Sequence, residues 1–115
     1  MKITVSQECG AAVASITGDI THAVAGELQE QLLALLCSVD ALVLDFRGIG
    51  ILTSAGLRML LLLYREAQGG SKKLLLAAVP EQVQDVMTVT GFWEQFVTCK
   101  SVDDAIKKVT KTVQP

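Results

Sequence analysis

A hydroxyl delivered by an apolar strand to the start of a helix is the chemical group this sequence sets apart. It is Ser54, in the run Asp45-Phe46-Arg47-Gly48-Ile49-Gly50-Ile51-Leu52-Thr53-Ser54-Ala55-Gly56-Leu57. In a parallel sheet such a position lies at the carboxyl edge, where ligands and partners of α/β folds meet the chain. Two readings of Ser54 stand side by side. It is an ordinary N-cap accepting from the amide of residue 56 or 57, or it is a site of covalent modification. A capping hydroxyl can also be modified, so the two are compatible.

Nothing around Ser54 assembles an enzyme. His22 is the single histidine, so no Ser-His-Asp or Cys-His constellation closes without it. Its place in the first turn of a helix reads as an exposed imidazole. Gly48, Gly50 and Gly56 match neither G-x-G-x-x-G nor a Walker loop, and no Lys follows them; ordinary turn glycines account for them. Cys9, Cys37 and Cys99 are odd in number and form no C-x-x-C pair. With His22 as the only other soft ligand, neither a metal site nor a disulfide framework is expected. The chain is read as a non-enzyme with no cofactor.

The chain's 115 residues fit one domain, residues 1–115. Half of them are hydrophobic and only 4% aromatic, so the core is filled by Leu, Val, Ile and Ala. A formal charge of −2 leaves no basic footprint for nucleic acid. Lys107, Lys108 and Lys111 share a segment with Asp103 and Asp104, the pattern of a solvated helix face. The N-terminus lacks a signal-peptide h-region, and the apolar run 59–64 is too short to span a bilayer. A cytoplasmic protein without direct membrane insertion is expected.

Hydrophobic periodicity sets the elements that must position Ser54. Strands are expected over 2–6 and 11–17, separated by a turn at Gly10 and closed by Gly18-Asp19. Thr21 caps a helix to about Cys37, with Val24, Leu28, Leu32, Leu35 and Leu36 at helical spacing. Residues 41–46 read as a strand buried on both faces. A linker over 47–53 precedes a second helix from Ser54 to Gly69-Gly70, with Leu57, Leu60, Leu61 and Tyr64 inward. Residues 73–79 form another strand, and Pro80 opens a third helix ending at Gly91. A last strand or extended segment covers 93–98. Ser101 and Asp104 form a capping box for a final helix with Val102, Ala105, Ile106, Val109 and Val113 inward. The order β-β-α-β-α-β-α-β-α calls for an α/β fold: a largely parallel or mixed four- to five-stranded sheet with about four helices.

Three segments, in order, carry a resemblance to the STAS family of sulfate transporter and anti-sigma factor antagonist domains. Residues 45–57 resemble the signature in which an apolar strand leads to D-S-S-G-L or a close variant. Gly18-Asp19-Ile20-Thr21 is similar to the family's G-E-L-D segment, and Val89-Thr90-Gly91-Phe92 to its hydrophobic-x-G-hydrophobic segment. Here Thr53 and Thr21 stand where the family usually carries acidic residues. The resemblance implies an anti-anti-sigma factor that binds an anti-sigma factor with serine kinase activity. It implies that phosphorylation of Ser54 ends the binding and that a PP2C-type phosphatase acts on the phosphoserine. An alternative within the family is a scaffold or regulatory subunit of a stress-signalling complex or lipid-transport system, without the switch.

A phosphate on Ser54 adds about −1.5 to −2 charges. The helix dipole favours an anion there by about 0.3–1 kcal/mol, so loss of binding must arise at the interface. Arg58, four residues on and on the same helix face, either pairs with that phosphate or is an ordinary solvated arginine. The partner surface expected from the two loops comprises Asp19, Thr21, His22, Thr53, Ser54, Ala55, Gly56 and Arg58.

Overall fold

Alternation along the second strand sorts the whole molecule into layers. Ala12, Ala14 and Ile16 face one core, while Ala11 and Val13 face another, as the two-residue period of a strand requires. The computed structural model describes residues 2–8 and 10–113. Over these the chain forms β1 (Lys2–Glu8), β2 (Ala11–Ile20), α1 (His22–Ser38), β3 (Ala41–Leu52), α2 (Ser54–Gly69), β4 (Lys73–Ala77), α3 (Glu81–Val89), a 3-10 turn (Trp93–Gln95), β5 (Val97–Cys99) and α4 (Val102–Val113).

The five strands lie in the order β1-β2-β3-β4-β5. β1 runs antiparallel to β2 and every other pair is parallel. Each crossover steps in the same direction, so three right-handed connections put α1, α2 and α3 on one face. Their buried side chains, among them Leu28, Leu32, Leu60, Leu63, Val83 and Met87, close on Leu42, Leu44, Phe46, Leu74 and Leu76. The other face is built mostly of smaller residues, Ala11, Val13, Ala41, Val43 and Ala77 around Leu75, and α4 covers it with Ala105 and Val109. The single-domain α/β architecture and the element order agree with the sequence reading.

The expected linker over 47–53 is not a linker. β3 continues through it to Leu52, pairing Gly48 with Thr17, Ile49 with Gly18 and Leu52 with Ile20 across two register shifts. Gly48 and Gly50 are therefore strand glycines at irregularities rather than turn residues. A Cβ on Gly48 would sit 2.8 Å from the Thr17 hydroxyl and 3.2 Å from the Ile16 carbonyl oxygen. Likewise Gly18-Asp19 does not end β2, which runs on to Ile20.

Smaller boundaries also moved. Pro80 precedes α3 as its N-cap, its carbonyl accepting from Val83 at 3.0 Å and Gln84 at 2.9 Å. Residues 93–98 split into the 3-10 turn and the start of β5. Ser101 Oγ accepts from the Asp104 amide at 3.1 Å, the first half of the expected capping box. Cys37 and Cys99 carry free thiols. Cys9 and the side chain of Val113 lie outside the described residues.

Candidate functional site

The paired ends of β2 and β3 create the site. Ile20 is the register partner of Leu52, and α1 and α2 start one residue beyond with Thr21 and Thr53 as their N-caps. Two helix N-termini thus emerge side by side at the carboxyl edge of the sheet. This brings together Asp19, Thr21 and His22 from one strand end with Thr53 to Arg58 from the other.

Thr53 ties the two ends. Its amide donates to the Ile20 carbonyl at 3.1 Å, and its hydroxyl donates to the same oxygen at 2.8 Å. The hydroxyl oxygen in turn accepts from the Gly56 amide at 3.4 Å. Thr53, not Ser54, is the cap of α2, which corrects the N-cap reading of Ser54. A threonine at this place does locally what an acidic cap would do, without adding charge. Ser54 is then the first residue of the helix proper, and it is exposed. Among the described residues the amides of Ser54 and Ala55 have no acceptor, the ordinary state of a first helical turn. A phosphate on Ser54 would meet these donors and the positive end of the dipole.

Gly56 sets how closely α2 approaches the strand ends. A Cβ there would fall 2.6 Å from Leu52 Cδ1 and 2.7 Å from Ile20 Cγ2. Ala55, half-buried, packs against the same core. Gly50 has a related task on the other side: a Cβ would lie 2.6 Å from Asp19 Oδ1, so the exposed Asp19 carboxylate lies across the bare backbone of β3. Thr21 caps α1 through its carbonyl alone, accepting from Val24 at 3.2 Å and Ala25 at 3.0 Å. His22 is exposed on the first turn of α1. Arg58 is exposed and, with Gln29, Leu61, Leu62 and Arg65, lines a shallow groove between α1 and α2. It makes no hydrogen bond or salt bridge among the described residues.

Three residues in or beside the site escaped the sequence reading. Ile51, 56% exposed, is an apolar side chain three residues before Ser54; a period of two would put it on the same face as the buried Ile49, and the register shift opposite Gly18–Ile20 breaks that alternation. Gln82 on α3 donates to the Gly50 carbonyl at 2.7 Å and fixes the last turn of β3. Asp45 lies in the run singled out from sequence but is 3% exposed on the α4 side of the sheet. Its carboxylate accepts from Ser15 Oγ at 3.0 Å and from the Arg47 amide at 3.0 Å, with Arg47 Nη2 at 3.4 Å. It holds β2 and β3 together upstream of the site, and only the tertiary pairing shows this.

Replacing Thr53 with Val removes the cap and the hydroxyl bond to Ile20 while keeping the amide bond. The expected loss is about 1 kcal/mol of stability, read as a lower denaturation midpoint at unchanged m-value.

Ser54 thus presents an exposed hydroxyl on the first turn of α2, beside the start of α1 at the carboxyl edge of a five-stranded mixed sheet. The family model for the "Mlab, STAS domain" matches residues 3–98. The chain belongs to the STAS domain family. Along its full length it is 28% identical over 116 residues to BtrV of Bordetella bronchiseptica, assigned as an anti-sigma factor antagonist, and the match covers 99% of that protein. An anti-sigma factor antagonist from Mycobacterium paratuberculosis has a similar structure, with a TM-score of 0.85 at 25% identity over 95% of this chain and 93% of that one. SpoIIAA of Bacillus in its phosphorylated form shares the fold, with a TM-score of 0.75 at 14% identity over 94% and 99% of the two chains. No helix among the described residues is long and apolar enough to cross a membrane.

Proposed function

We propose that this chain is an anti-sigma factor antagonist that binds an anti-sigma factor with serine kinase activity and is released from it by phosphorylation of Ser54. The observation that carries the reading is the placement of Ser54. It is exposed, relieved of capping by Thr53 and seated beside open amides in a chain of the STAS family. Its hydroxyl is accessible to a kinase, and the helix start accommodates the product. A PP2C-type phosphatase would return the domain to its binding state.

The partner surface in this reading is the shared edge: Asp19, Thr21 and His22 from the β2–α1 side, Thr53 to Gly56 and Arg58 from the β3–α2 side. Ile51 adds an apolar contact beside them. Mass spectrometry after incubation with candidate kinases and ATP tests the switch. One phosphate on Ser54, absent from Ser54→Ala, supports it; an unmodified chain with an active kinase refutes it.

Two exposed charges give a further expectation. Charge reversal at Asp19 and at Arg58 is expected to weaken partner binding about tenfold or more, since like charges across an interface cost several kcal/mol when closely opposed. Unchanged affinity in both places the surface elsewhere. Arg58→Ala addresses pairing with the phosphate. If Arg58 partly neutralises it, phosphorylation weakens binding more in the Ala variant than in the parent chain.

A second reading, a STAS subunit held in a larger assembly without a switch, draws on Thr53. Its hydroxyl makes the local bonds without the acidic charge that usually precedes the modified serine. Recovery of the unmodified chain in a large stable complex from its native cytosol supports this reading over the first.

A further inference from the structure

The two edges of the sheet are treated differently. β5 is only three residues long, Val97–Cys99, and a very short edge strand is one of the ordinary protections against pairing. β1 has seven residues, Lys2–Glu8, all paired on one side with β2 and, among the described residues, none on the other. It contains no proline and no register shift against β2, and no charge lies between its two ends. Lys2, Thr4, Val5, Ser6 and Gln7 are exposed, and Val5 is 47% exposed.

The order of residues along β1 is self-complementary. Turned about a twofold axis at Val5, the strand sets Lys2 against Glu8, Ile3 against Gln7, Thr4 against Ser6 and Val5 against itself. Directly opposed residues of antiparallel strands share a face. One face then carries the hydroxyl pairs, with the register positions of Lys2 and Glu8 opposed at either end. The other carries Val5 against Val5, continuous with Ile3, which packs on the core beneath α1 and α2. A same-register parallel pairing would instead oppose like charges.

We propose that two copies of this chain associate through β1, antiparallel about a twofold axis at Val5, joining their sheets into one. Because the twofold reverses strand direction, the two Ser54 sites point to opposite ends of the joined sheet. Each stays open to its own partner. The association is isologous and does not draw on the switch at Ser54, so either can fail without the other.

Sedimentation equilibrium on the full chain tests this. The expected result is a monomer–dimer equilibrium that shifts with protein concentration. Lys2→Glu opposes like charges at both ends of the pairing and is expected to raise the dimer dissociation constant about tenfold. The double variant Lys2→Glu with Glu8→Lys restores it. Val5→Lys, with a folded chain checked by circular dichroism, sets two ammonium groups against each other on the axis and leaves monomer. A chain that stays monomeric at millimolar concentration overturns the proposal, as does a dimer indifferent to Lys2→Glu and Val5→Lys.

Discussion

Phosphorylation of Ser54 is expected to weaken partner binding about a thousandfold while leaving the domain folded. The two halves of this expectation have separate causes. Inside the domain the phosphate sits on the exposed first turn of α2, where the amides of Ser54 and Ala55 are open and the dipole favours an anion. The contribution is about 0.3–1 kcal/mol in favour of the folded state. At a docked interface the same group is desolvated, and Arg58 on its own helix neutralises it at most in part. Leaving one charge buried and unpaired costs about 3–5 kcal/mol, and about 4 kcal/mol is a thousandfold. Calorimetric titration of the modified and unmodified chains against the partner proposed above measures the first half, and thermal unfolding the second. Ser54→Ala is expected to keep binding within a few-fold. If the phosphorylated domain melts far below the parent chain, the loss of binding is unfolding and the local account is wrong.

The second large effect concerns Gly56. The missing Cβ is what lets α2 start against the side chains of Ile20 and Leu52, both buried. The Leu52 methyl can turn aside, but Ile20 is β-branched and fully enclosed. Gly56→Val therefore overpacks a junction already held by the Thr53 bonds, at a cost of about 1–3 kcal/mol. The expected readout is a fall in Tm of at least several degrees, together with weakened partner binding because the helix start is pushed off its strand ends. Gly56→Ala should lie between parent and Val. A Val variant as stable as the parent would mean that α2 is free to slide, and that its start is not fixed by this contact.

Much of this architecture was legible in the residue order. Apolar runs of five or six residues alternating with 3.6-period segments specify strands and crossover helices, because each element has one way of hiding its apolar face. Leu28, Leu32, Leu57, Leu60, Ala105 and Val109 were all assigned inward and are buried. Boundaries were harder where glycines occur. Gly48 and Gly50 look like a turn by composition, yet they lie inside β3 because the strand must pass close to Thr17 and beneath Asp19. That close approach belongs to a neighbour more than thirty residues away, and no local pattern encodes it. The cap of α2 was misplaced by one residue for a related reason. Serine is the better cap by local preference, and the bond from Thr53 to the Ile20 carbonyl selects Thr53 instead.

The STAS-like signature, the element order and the presence of a hydroxyl near a helix start were set by the chain alone, since they depend on residue type and on spacing within one element. Tertiary structure decided which hydroxyl is free and how the two strand ends are tied together. It also decided that Asp45 is a buried tie between β2 and β3. These properties arise when Ile20 and Leu52 come into register and two helix starts are forced side by side. Hydrogen bonds and close contacts between distant segments are satisfied only in the assembled sheet, so their consequences appear only there.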